Sequence, residues 1–220
     1  RAEEIAKFLN IKWHQILYDP KQTRVLFYTK EKEKYYQYAW GMNAVPVMND
    51  YYAILMMREQ NIIPENAVLI NGQTGDFLTG GHIPALEKND YDVSVLIKNI
   101  IDKHHSLWEQ LKTEDNLKYF ADKILSTLNL NSKNLISSTD LSKYYEFYEW
   151  QERQGKFVVN GQRVYEWFGY DWRLPLWHDE LMFFWERVPW EIKIKQKLFK
   201  KYLNIYNPAS LFNKQWYPPD

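Results

Sequence analysis

The sequence predicts an α/β fold, with a short parallel sheet on the N-terminal side and a larger, mainly helical portion after it. Three observations carry this reading. The run Ala67-Val68-Leu69-Ile70 is continuously apolar, follows a helical pattern and leads into glycines, as a buried parallel strand does. Residues 11–18 alternate, with Trp13, Gln15 and Leu17 on one side and Lys12, His14 and Ile16 on the other, as a strand would. From about residue 90 onward helical periodicity takes over. No linker-like composition marks that change, so 1–220 is read as one domain, with 1–90 its α/β part and 91–220 its mainly helical part.

Taken in order, 2–9 is expected to be the end of an amphipathic helix with Ile5, Phe8 and Leu9 on one face and Asn10 closing it. Asp19-Pro20 is a turn and a helix start. Residues 21–40 carry the charge run Lys30-Glu31-Lys32-Glu33-Lys34 and read as one solvated helix. Asn49 or Asp50 caps a helix over 51–60, and Pro64 ends that region. Helical patterns follow at 93–111, 116–128, 141–153, 181–185 and 190–203, the last two separated by Pro189. Residues 158–168 fit either state, with Asn160-Gly161 as a turn.

Composition excludes several function classes. An apolar share of 45% rules out disorder as the dominant state. Lys+Arg and Asp+Glu both number 28, so the basic excess of a protein that coats nucleic acid is missing. The chain has no Cys, which removes disulfides, thiolate nucleophiles and Cys-ligated metals. This fits a reducing compartment, and a cytoplasmic location is expected. No apolar run approaches the roughly 18 residues of a membrane span. The 10 Trp, 17 Tyr and 11 Phe read mainly as a helical core rich in large side chains, with sugar or base stacking as the other use of such residues.

The chemistry concentrates in Asn71-Gly72-Gln73-Thr74-Gly75-Asp76-Phe77-Leu78-Thr79-Gly80-Gly81-His82, which holds half of the eight glycines. Glycines admit close backbone approach, N–H groups at a strand-to-helix turn hold phosphate oxygens, and a lone Asp76 suits Mg²⁺. The bland reading is a tight connection with Asp76 as a helix cap. No Walker A or dinucleotide glycine motif is present.

That segment resembles the Ser-Gly-Glu-Gly-x-Asp-Glu-x-x-Gly-Gly-Tyr motif of the asparagine synthetase C-terminal domain family. Gly169-Tyr170-Asp171-Trp172-Arg173-Leu174-Pro175-Leu176 resembles the same family's Gly-Val-Glu-x-Arg-x-Pro-Phe segment. Val188-Pro189 with the Lys-rich stretch from Lys193 to Lys201 resembles its ending, and residues 2–9 resemble the helix after its second strand. The resemblance implies an adenine-nucleotide α-hydrolase-like, Rossmann-like sheet, incomplete here. It also implies ATP and Mg²⁺ as cofactors, adenylation of a carboxylate and attack by ammonia. Gly72, Thr74 and Gly75 would line the nucleotide or pyrophosphate site and Asp76 would bind Mg²⁺. Arg173 would contact phosphate or form an ion pair with Asp171. Lys214, in Asn213-Lys214-Gln215-Trp216, lies about one residue out of step with the family's catalytic Lys.

Four departures matter. The family's Ser-Gly-Gly-x-Asp-Ser motif, expected upstream of the first helix, does not occur, so the 220 residues are read as the C-terminal part of a longer protein that does not turn over ATP alone. Gln73 stands where the family has a Glu, and an amide accepts no proton at neutral pH. Phe77 replaces an acid. His178 stands where the family has Asp, with Asp179 one residue on. Ammonia would be free or come from a separate glutaminase domain or chain. The Arg173-Leu174-Pro175-Leu176-Trp177 segment looks most like relatives in surface-polysaccharide synthesis, which implies a sugar carboxylate amidated to a uronamide.

Other candidates read as structural. His104-His105, with His105 four residues before Glu109, is expected on a surface helix, and His14 is expected to pack. Lys193, Lys195, Lys197, Lys200 and Lys201 are expected to line a solvated face. The cluster Tyr144, Tyr145, Phe147, Tyr148 and Trp150 exceeds one buried stripe; part of it lines an acceptor pocket or meets a further domain. A catalytically silent relative and a carbohydrate-binding module stay open as alternative functions.

Overall fold

The computed structural model describes residues 2–211. The chain is α/β and mostly helical. Helix α1 (Ala2–Phe8) closes at Asn10, whose φ of 53° lets Ile11 N–H donate back to Ala6 O. Its expected apolar face is not buried: Phe8 and Leu9 are exposed and Ala6 packs instead. Residues 11–18 form no strand, and His14 is exposed. Alternation alone does not suffice, because a strand needs a partner for its backbone groups.

The expected helix 21–40 is two. Asp19 caps α2 (Pro20–Leu26) by accepting from Lys21 N–H, with Pro20 at the first helical position. Thr29 accepts from Lys32 N–H and starts α3 (Lys30–Trp40), which Gly41 ends in the left-handed region. Thr29 as a cap is the physical reason for the break. Helix α4 (Tyr51–Glu59) follows, then β1 (Val68–Ile70) and the one-turn helix α5 (Gly75–Leu78).

The next stretch is a helical lobe. Strand β2 (Asp90–Asp92) pairs antiparallel with β3 (Leu135–Ser137). Between them lie α6 (Val93–His104), capped by Asp92, and α7 (Glu114–Leu128), capped by Thr113 and closed by Asn129 at φ 51°. Ser137 caps α8 (Ser138–Tyr148). Val93, Leu96, Ile100, Ile124, Leu141 and Tyr145 form the core of this lobe. Helix α8 runs directly into a π-helix, Glu149–Val159, and a 3₁₀ turn, Asn160–Gln162. Wide helical turns of this kind occur often at functional sites.

The chain then returns to the first half. Helix α9 (Arg163–Trp167) packs on α3 and α4 around Tyr35, Tyr51, Ile54, Val164 and Tyr165. Strand β4 (Asp171–Arg173) lies parallel to β1, with Val68 opposite Asp171 and Ile70 opposite Arg173. The run 67–70 is therefore a parallel strand as expected, but it is not buried: Leu69 faces the core while Val68 and Ile70 are exposed. Among the described residues this parallel sheet has only the two strands β1 and β4, and Val68 and Ile70 stay exposed on it. Helix α10 (Asp179–Arg187), α11 (Trp190–Lys193) and α12 (Lys197–Ile205) finish the described chain. Lys195 and Gln196, at φ 55° and 59°, make the kink between the last two. Among the described residues no helix is long and apolar enough to cross a membrane.

Candidate functional site

The two motifs that lie far apart in sequence meet at the C-terminal ends of β1 and β4. Asn71 N–H donates to Arg173 O at 3.1 Å, so the ladder continues one residue past the strands. The glycine turn then lies against the 174–177 segment: a Cβ on Gly75 would stand 3.1 Å from Leu176 Cδ1, and Trp177 Nε1–H donates to Thr74 Oγ1 at 2.9 Å. In open α/β sheets, ligands bind in the crevice at such strand ends.

A hydrogen-bonded chain fixes the turn. Tyr165 O–H donates to Asp50 at 2.6 Å, Asn71 Nδ2 donates to the Tyr165 hydroxyl at 2.7 Å, and Asn71 Oδ1 accepts from Gln73 N–H at 2.9 Å. Asp50 is therefore spent on Tyr165 rather than on capping α4. Gln73 Oε1 accepts from Gln162 Nε2 at 2.7 Å. Thr74 is buried at φ 78°, a costly conformation for a β-branched residue, and its hydroxyl donates to Gln154 Oε1 at 3.2 Å. Such outliers persist where surroundings over-determine them, most often at sites.

Asp76 follows in the first turn of α5. Its Oδ1 accepts from Phe77 N–H at 2.9 Å and its Oδ2 accepts from His82 Nε2 at 2.8 Å, while its side chain remains 65% exposed. The His82 bond holds the carboxyl down to about 2, against the effect of partial burial. On its other side His82 Nδ1 donates to Glu149, a wholly buried acid at the start of the π-helix. Carboxylates only accept, so the ring serves both as a double donor. Burial opposes the charged ring, but the bonds to Asp76 and Glu149 outweigh it and raise the His82 pKa. Burial likewise pushes Glu149 up, and its bond to His82 overrides this and lowers it.

His104 Nε2 lies 3.9 Å from the second oxygen of Glu149, and neither atom has a hydrogen-bond partner. His105 stacks on Phe120 at 4.6 Å and bonds the Tyr148 hydroxyl. The pair is thus packed inward, not on a surface as expected, because the last turn of α6 faces α8. Burial lowers His104 to about 4, with Glu149 opposing. The neutral ring therefore contributes stability that is complete above the unfolded value of 6.5 and lost as pH falls toward 4, on the order of 3 kcal/mol. His104 ring protons followed by NMR are expected to titrate near 4; titration near 6.5 would mean the ring is solvated.

Lys193 also departs from the expected solvated face. It is buried, with Nζ 2.6 Å from Glu146, whose carboxyl burial raises despite that cation. Its backbone lies against Gly80, and Gln196 Nε2 donates to Thr79 Oγ1 at 2.7 Å, so the α11–α12 kink seats the end of the glycine segment. The remaining basic residues Lys195, Lys197, Lys200 and Lys201 are exposed.

The structure therefore gathers Gly72, Gln73, Thr74, Gly75 and Asp76 in one turn and sets Arg173 at the adjoining strand end. Arg173 is exposed and donates from Nη1 to the Trp172 carbonyl. Lys214 lies outside the described residues. His82, Glu149, Gln154 and Gln162 complete the site and were not singled out from sequence; the first had a signal, since it ends the glycine motif. A concavity of about 570 Å³ between Tyr18, Arg24, Phe27 and Lys32 lies elsewhere and has no acid in its lining. Among the described residues no group of three or more His, Cys, Asp or Glu fits a metal ion. Asp76 alone suits a cation that brings most of its own ligands, as Mg²⁺ does with phosphate oxygens and waters. No family model, curated protein or solved structure matches this chain.

Proposed function

We propose that the protein is an asparagine synthetase-like, ATP-dependent carbon–nitrogen ligase of the cytoplasm, on an adenine-nucleotide α-hydrolase-like sheet. One observation carries the reading. The pairing of β1 with β4 puts the glycine motif and the 169–176 motif side by side at their strand ends. A carboxylate oxygen of the acceptor attacks the α-phosphorus of ATP, and the bond to the bridging oxygen breaks to release pyrophosphate. Ammonia then attacks the acyl carbon, AMP leaves, and the nitrogen gives up a proton. Mg²⁺ supplies charge neutralisation for the phosphates. Gly72, Thr74 and Gly75 present backbone to the nucleotide, Asp76 anchors the metal, and Arg173 meets phosphate. Gln73 is an amide held by Gln162, so it orients rather than accepts a proton. Lys214 is the further catalytic candidate. The acceptor is a sugar carboxylate and the ammonia is free or delivered by a glutaminase domain or chain; nucleic acid is not a partner.

Gly72 offers a clean test. No atom lies within 4 Å of a Cβ placed there, and its φ is outside the left-handed region, so Gly72→Ala is expected to leave the melting temperature unchanged or slightly raised. The same methyl would crowd a phosphate. ATP–pyrophosphate exchange by the full-length protein, with a uronate as acceptor, is expected to fall about tenfold or more. Exchange equal to that of the unaltered protein would sink the phosphate role of this turn.

A second reading, the catalytically silent relative, draws on the engagement of Gln73 by Gln162 and the burial of Phe77, where the family carries acids. It predicts ATP binding with no pyrophosphate release under any acceptor. The exposed aromatic pair Phe147 and Trp150, with centroids 5.9 Å apart, is where sugar binding that ignores ATP would be sought.

A further inference from the structure

We infer that His82 and Glu149 are positioning residues that fix the Asp76 carboxylate in its metal-binding orientation. This inference rests on the proposed role of Asp76. Helix α5 has only four residues, and the Asp76 side chain is mostly exposed, so local structure alone leaves its carboxylate loosely held. One oxygen takes the Phe77 N–H and the other takes His82 Nε2, which leaves the outward lone pairs of a fixed carboxylate for a cation. His82 is itself held from behind by Glu149, whose side chain is fully buried.

Burying a carboxylate is costly, and a buried ion pair returns little net stability against an apolar replacement. Orientation of Asp76 is what this acid supplies in exchange. The π-helix does so from a packed position, since it continues α8 without a break. The same element holds the turn at a second point. Gln154 accepts from Thr74 Oγ1 through one amide atom and lies 3.4 Å from Glu149 Oε1 through the other. Asp76 is thus gripped on both sides, through Thr74 before it and His82 after it. Groups that orient a metal ligand in this way typically alter metal affinity by about 10–100-fold.

The test is Mn²⁺·ATP binding to the full-length protein, read by water-proton relaxation, beside the affinity for metal-free ATP. Asp76→Asn is expected to abolish the metal-dependent part. His82→Ala and Glu149→Ala are each expected to weaken Mn²⁺·ATP by about 10–100-fold. The double variant is expected to be no worse than either single one, because the two act as one chain. Glu149→Gln keeps an oxygen for the His82 Nδ1–H and is expected to recover most of the affinity. Metal-free ATP affinity, which general loosening of the turn would lower, is expected to hold. Should Glu149→Ala fail to fold by circular dichroism, His82→Ala and Glu149→Gln decide the matter. Unaltered Mn²⁺·ATP affinity in His82→Ala, with loss in Asp76→Asn, overturns the positioning role and leaves the ligase reading standing. Unaltered affinity in Asp76→Asn overturns both.

Discussion

Asp76→Asn is expected to lower ATP-dependent pyrophosphate release by at least about a hundredfold while the fold survives. The substitution is nearly isosteric and keeps an oxygen that can accept from Phe77 N–H. What it removes is the charge. In the native protein that charge persists at every physiological pH, because the His82 bond holds the carboxyl down to about 2. The sign is that of a depressed acid: its stabilising effect is present above the unfolded value of 3.8 and is lost only as pH falls through about 2. The pair with His82 is partly exposed on the Asp76 side, so its loss costs about 1 kcal/mol or less. A large fall in turnover with a small fall in melting temperature is therefore the expected pattern. Equal losses in both would assign Asp76 to the fold instead.

The largest expected effect on stability is at Gly80. Its φ is +84°, and an added Cβ would stand 2.4 Å from the carbonyl oxygen of Lys193 and 2.6 Å from that residue's Cγ. The first contact is with backbone, which cannot swing aside, and Lys193 is buried with its ammonium on Glu146. Left-handed strain and overpacking add in Gly80→Ala, for about 2–5 kcal/mol. In a chain of this size that lowers the melting temperature by on the order of 10 °C. Gly72→Ala, in open space, is the matched control. If thermal unfolding gave the two variants the same midpoint, the seat of the glycine segment on the α11–α12 kink would be wrong.

The contrast between these glycines shows what the sequence makes legible. The spacing of the glycines with Asp76 and the apolar run before them located the turn and the parallel strand, because strand, glycine and acid each carry a local signal. Two caps were equally readable, since Asp19-Pro20 and Asn10 act where their chemistry places them, whereas Asp50 gives its side chain to Tyr165 instead of to α4. The break at Thr29 was hidden because the charge run that follows it suits a helix begun at Lys30 as well as one continued from Lys21. Exposure of Val68 and Ile70 was not legible, since an apolar strand does not declare how many layers cover it. Glu149 stayed hidden for a related reason. It stands in the aromatic cluster 144–150, and nothing in a helical pattern marks where the π-helix begins or that an acid there meets a histidine distant in sequence. Lys193 read as one more surface cation because its burial depends on the kink at Lys195 and Gln196, where two residues adopt a left-handed backbone without glycine.

The ligase reading requires the turn at the ends of β1 and β4 to hold the phosphates of a metal–nucleotide. Paramagnetic broadening by Mn²⁺·ATP in amide spectra of the full-length protein tests it most directly. The amides of residues 72–76 are expected to broaden beyond detection at substoichiometric metal, while those of Ile124 and Ile136, in the core of the lobe that β2 and β3 open and close, keep their intensity. Broadening that spares 72–76, or that centres on the concavity around Tyr18, Arg24 and Lys32, would contradict it.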